Sequence, residues 1–87
     1  MKGKKILLLK AIIDIMEKET DTNNPDLINH IKGLKAGIQI LEKTSKENLP
    51  DILETINIAR KIAEETYPEL LEYYAGVYMV LKIGEQI

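Results

Sequence analysis

The sequence has no cysteine, no tryptophan and no phenylalanine. Lack of cysteine rules out disulfides, thiolate nucleophiles and thiolate zinc ligands, and it suits a reducing compartment such as the cytoplasm. Lack of Trp and Phe means that the core must be aliphatic, with four tyrosines as the only aromatics. His30 is the only histidine and Ser45 the only serine. Glycine is sparse, and Gly33, Gly37 and Gly76 fall inside helical patterns. Each such glycine costs about 1 kcal/mol relative to alanine, and close helix packing is a reason to tolerate it. The longest uncharged stretch, Tyr73 to Leu81, is far short of a membrane-spanning helix, which needs about 20 apolar residues. Met1-Lys2-Gly3-Lys4-Lys5 followed by Ile6-Leu7-Leu8-Leu9 has the look of a signal peptide. However, Lys10 and Asp14 break the apolar run and no small-x-small cleavage site follows, so export is not expected.

What remains is an 87-residue chain, 45% hydrophobic, which is the size of one domain. A domain this small buries only about 60% of its unfolded surface, so its stability is marginal. The net charge of −2 gives no global pull towards nucleic acid. Residues 1–46 hold nine lysines against six acids, a balance of +3; residues 47–87 hold three basic residues against eight acids, a balance of −5. Such asymmetry can steer the two halves together, or two chains head to tail.

The periodicity predicts four helices. In the first, about Lys4 to Glu19, Ile6, Leu9, Ile13 and Met16 share a face, and Leu8, Ile12 and Ile15 are expected to widen it. Thr20 to Asn24 favour a turn. The second has a clear start in Asn24, Pro25 and Asp26. Leu27, Ile31, Leu34, Ile38 and Leu41 then follow in 4-3-4-3 spacing to about Lys43. The third begins around Asn48 to Pro50 and runs to about Glu65, with Ile52, Ile56, Ala59 and Ala63 inward and Leu53 and Ile62 at the edges. Tyr67, which precedes a proline, is pushed out of helical geometry, so the chain turns there and the fourth helix starts at Pro68. That helix is apolar over most of its circumference and is expected to stop at Gly84. It must lie centrally or present an exposed apolar side.

The halves resemble each other. Pro25 to Ile31 matches Pro68 to Tyr74 at an offset of 43, and Gly33 then pairs with Gly76, Ile40 with Ile83 and Glu42 with Glu85. Upstream, Ile12 pairs with Ile58 and Met16 with Ile62 at an offset of 46. Each unit reads as helix, turn, Pro-initiated helix. The second unit, with Ile58-Ala59, Ile62-Ala63, Pro68, Tyr74-Ala75-Gly76, Tyr78, Leu81 and Gly84, resembles a tetratricopeptide-type repeat. Two helical pairs are fewer than such arrays usually need, and a closed bundle buries more surface at this length. The expected fold is therefore all-α: one domain, an antiparallel four-helix bundle of two αα-hairpins, residues 4–43 and 48–84.

No motif carries chemistry. His30 with Asp26 one turn earlier reads as a surface pair, because no Glu-x-x-His or His-Glu-x-x-His pattern accompanies it. The acids Glu17, Glu19, Asp21, Glu64, Glu65, Glu69 and Glu72 read as solvated helix faces and ends. Ser45 lies in a Lys/Glu-rich turn with no base beside it, and no glycine-rich loop fits a phosphate. Lys2, Lys4, Lys5 and Lys10 form a short basic start without interleaved aromatics, so nucleic-acid binding is not expected. The tyrosines are the most informative feature. Tyr74 and Tyr78 lie one turn apart on the fourth helix, with Tyr73 and Leu71 beside them and Tyr67 at its start. Tyrosine suits interfaces because it joins an apolar body to a polar tip. The expected function is a non-enzymatic protein-binding module acting through a helical surface centred on the fourth helix and including Tyr67, Leu71, Tyr73, Tyr74 and Tyr78, with no cofactor or metal, either homodimeric or bound to another protein. The competing expectation is a small microbial or phage inhibitor, of immunity or anti-defence type, that neutralises a toxin, nuclease or membrane-active peptide.

Overall fold

The computed structural model describes residues 2–20 and 23–86, and among these the regular structure is entirely helical. Four α-helices form: α1 (Lys2–Glu19), α2 (Pro25–Lys43), α3 (Leu49–Thr66) and α4 (Leu71–Gln86). A 3₁₀ turn at Lys46–Asn48 leads into α3, and another at Pro68–Leu70 leads into α4. The start of α2 follows from its sequence. The Asn24 side-chain oxygen accepts from the backbone N–H groups of Asp26 and Leu27, at 3.1 and 3.3 Å, with Pro25 in the first turn. These donors have no partner within a helix, so the cap satisfies them. Helix α3 ends at Thr66, and the Tyr67 N–H closes its last turn on the Ala63 carbonyl at 2.9 Å. Pro68 lacks an N–H and cannot continue the ladder. Gly84 does not stop α4, which continues to Gln86, and no glycine among the described residues has positive φ. Its small size matters instead for packing, as shown below.

The core draws Ile6 and Ile13 from α1, Ile31, Leu34, Ile38 and Leu41 from α2, Leu49, Leu53 and Ala63 from α3, and Val77, Val80 and Leu81 from α4. Four of the five residues of the α2 stripe are therefore buried, while Leu27, in the first turn, is exposed. Burying one such side chain contributes about 1.5–3 kcal/mol.

The two hairpins meet through α2 and α4. A Cβ on Gly33 would overlap the Tyr73 carbonyl oxygen and lie 3.1 Å from the Val77 nitrogen. A Cβ on Gly76 would overlap the His30 carbonyl oxygen and lie 2.9 Å from the Leu34 nitrogen. Tyr73 follows His30 by 43 positions, and Val77 follows Leu34 by the same number. The two contacts are thus equivalent when the halves are exchanged. Further along, a Cβ on Gly37 would sit 2.8 Å from Val80 Cβ, and one on Gly84 would sit 2.8 Å from Leu41 Cδ1. These pairs are also 43 apart. Gly33 and Gly37, four apart on α2, and Gly76 and Gly84, eight apart on α4, let the backbones approach until Cα–H groups face carbonyls.

The partners ascend together along both helices, so α2 and α4 run in the same direction. Within the first hairpin the order reverses: Lys10 Nζ lies 3.0 Å from Glu42 Oε2, and Lys35 Nζ lies 2.6 Å from Glu17 Oε2. The result is the expected all-α bundle of two antiparallel hairpins. It is flattened, with principal extents of 36 × 30 × 16 Å. Helices α2 and α4 are central, α1 flanks α2 and α3 flanks α4. The apolar character of α4 reflects this central position in part, since Met79 and Ile83 remain exposed.

Candidate interaction surface

The polar side chains form no catalytic or ligating cluster among the described residues. No group of three or more His, Asp and Glu there could hold a metal ion. His30 faces not Asp26 but Glu72 of α4, with Nδ1 3.4 Å from Oε1. The pair is close but poorly aligned, so buried Nδ1 is left without a hydrogen bond. The neighbouring tie is sound: Asn29 Nδ2 donates to the Glu69 carbonyl at 3.1 Å and joins the starts of α2 and α4. A groove of about 240 Å³ between α1 and α2 is lined by Lys10, Asp14, Lys35, Gln39 and Glu42 over Ile13 and Ile38. Its lysines are already engaged in ion pairs, and its volume is below that of typical ligand pockets.

The tyrosines are built into the protomer to different extents. Tyr73, Tyr74 and Tyr78 are half-buried, as is Leu71, while Tyr67 at the turn is exposed. The Tyr73 and Tyr74 rings meet edge to face, with centroids 5.4 Å apart and planes at 81°. The Arg60 guanidinium lies 4.5 Å over the Tyr78 ring and donates to Asn57 Oδ1 at 2.8 Å. An edge-to-face ring pair and a cation–π contact each contribute about 1 kcal/mol. Tyr73 and Tyr78 pack against the core and Arg60 of α3 covers Tyr78, whereas the Tyr73–Tyr74 contact lies within α4 itself.

The most exposed apolar surface is on α1. Leu8, Ile12 and Ile15 retain 59%, 54% and 61% of their accessible area, and Leu7 retains 66%. Sequence periodicity placed Leu8, Ile12 and Ile15 on a widened inner face, and the structure corrects this. At 100° per residue, they project about 110–170° away from the line of Ile6 and Ile13. Ile6 and Ile13 pack into the core, and the Lys10–Glu42 and Lys35–Glu17 pairs hold α1 in that rotation. With only α2 as a principal neighbour, α1 can bury one of its two apolar faces. The corresponding helix α3 leaves Ile58 and Ile62 exposed, so Ile62 is not at a buried edge.

No protein-family model, curated protein or solved structure matches this chain. Among the described residues, no helix is long and apolar enough to cross a membrane.

Proposed function

We propose that this chain is a non-enzymatic protein-binding module whose main contact surface is the outer face of α1. The observation that carries this reading is the stripe of Leu8, Ile12 and Ile15, three large aliphatic side chains more than half exposed on consecutive turns of one helix. Single exposed apolar residues are ordinary, but a contiguous stripe of them marks an interaction site. Helical partners dock on such stripes through residues spaced three and four apart. Tyr67, exposed at the α3–α4 turn, remains available for contact. Tyr73, Tyr74, Tyr78 and Leu71 would contribute through the edges they leave uncovered.

Affinity capture tests the proposal. Tagged wild-type chain should retain a protein from its native cell extract, an untagged copy of itself included, that Leu8→Asp/Ile15→Asp releases. Both substitutions fall on exposed positions and should leave helicity unchanged. Equal retention by the folded variant would overturn the assignment of the surface, and no retained protein with either chain would overturn the binding role.

A further inference from the structure

We infer that the outer stripe of α1 binds the same stripe of a second copy of this chain, with the two helices antiparallel about a two-fold axis at Ile12. This rests on the protein-binding reading above and names its partner. The stripe continues beyond its aliphatic centre. Lys5, Leu8, Ile12, Ile15 and Glu19 recur at three- and four-residue spacing, so they share one face of α1. That face is aliphatic in the middle, basic at one end and acidic at the other. Lys5 and Glu19 each lie seven residues from Ile12, about 10 Å along the helix at 1.5 Å per residue.

Such a pattern is complementary to itself in only one orientation. Antiparallel pairing centred on Ile12 brings Lys5 of each copy beside Glu19 of the other, and Leu8 of each towards Ile15 and Met16 of the other. Parallel pairing would set Lys5 against Lys5 and Glu19 against Glu19, and like charges placed together disfavour association. The end charges are also unspent. Lys10 and Glu17, on the flank facing α2, are engaged within the protomer. Lys5 and Glu19 are exposed and make no ion pair among the described residues. An isologous contact of this kind closes on itself and leaves no open edge for a filament.

The test uses the full chain. Sedimentation equilibrium should give a mass that rises with concentration from 9.9 kDa to twice that value. Ile12→Glu, which sets two carboxylates together at the axis, should weaken the dimer at least tenfold while its helical signal is retained. Orientation has a separate readout, because the chain has no native cysteine. A short thiol cross-linker applied to a mixture of Lys5→Cys and Glu19→Cys chains should join one variant to the other. Each variant alone should remain uncoupled. Cross-links within the Lys5→Cys population alone would overturn the antiparallel arrangement. A dimer untouched by Ile12→Glu would place self-association on another face, overturning this inference while leaving the chain a protein binder. A chain that stays at 9.9 kDa would overturn the second copy as partner, and the capture experiment with Leu8→Asp/Ile15→Asp would then decide the broader reading separately. Should Ile12→Glu fail to fold, the cross-linking pattern still decides.

Discussion

At the residue scale, the glycines of α2 and α4 are the most sharply constrained positions. Alanine normally favours a helix over glycine by about 1 kcal/mol, yet at Gly33 and Gly76 its methyl group would overlap a carbonyl oxygen of the facing helix. Overpacking of this kind costs about 1–3 kcal/mol, and backbone cannot move aside as a flexible side chain can. Gly33→Ala and Gly76→Ala should each destabilise the protein by about 2 kcal/mol in urea unfolding. Gly3→Ala, which meets nothing within 4 Å, should be neutral or stabilising by up to about 1 kcal/mol. An increase in stability at Gly33 would contradict the close approach. Asn24→Ala removes the α2 cap and should cost about 1 kcal/mol in the same measurement. These positions were legible in the sequence: helix-interior glycines need a packing reason, and Asn-Pro-Asp is a helix start. Gly84 was misread because a glycine near a helix end usually stops it, and only the Leu41 side chain seated against it reveals its role.

At the element scale, α1 and α4 are both apolar around much of their surface but are buried to different extents, α4 leaving Met79 and Ile83 exposed. Helix α4 lies between α2 and α3 and buries Val77, Val80 and Leu81. Helix α1 has α2 on one side and leaves its other apolar face open. Periodicity shows how many faces of a helix are apolar, but not how many neighbours it has, so this difference could not be read from either helix alone. The tyrosines were singled out for the same reason. Their chemistry suits an interface, yet Tyr73, Tyr74 and Tyr78 lie on a central helix, with Arg60 stacked on one and the other two packed on each other. Adjacent residues on α1 give a direct test. Ile13 is buried and Ile12 is exposed. In dilute solution, where the protomer is alone, Ile13→Ala should lower unfolding free energy by about 2–4 kcal/mol, and Ile12→Ala by less than about 0.5 kcal/mol. Equal losses would show that α1 is rotated differently.

At the scale of the whole molecule, the similarity of the two halves coincides with the central contact. The offset of 43 read from Pro25/Pro68 and Gly33/Gly76 is the register at which α2 and α4 lie side by side, so the comparison of the halves already contained the central contact. The choice of α2 and α4 as the inner pair was not contained in it, because matched halves can meet through either helix. The shared interface implies that neither hairpin folds without the other. All four tyrosines lie in the second hairpin, so tyrosine fluorescence reports on that half while far-ultraviolet circular dichroism reports on all four helices. Thermal transitions followed by the two signals should coincide, and a tyrosine transition displaced from the helical one would mean that the hairpins unfold separately.

The central functional claim is that the chain associates through the outer face of α1. It is tested most directly by two-dimensional amide NMR spectra of the uniformly labelled chain, recorded from low micromolar to millimolar concentration. For self-association, the account predicts concentration-dependent shifts that run along Lys5, Leu8, Ile12, Ile15 and Glu19 and leave α4 still. Shifts centred on α4, or on Ile58 and Ile62 of α3, would contradict the assignment of the surface, and none at any concentration would contradict the second copy as partner.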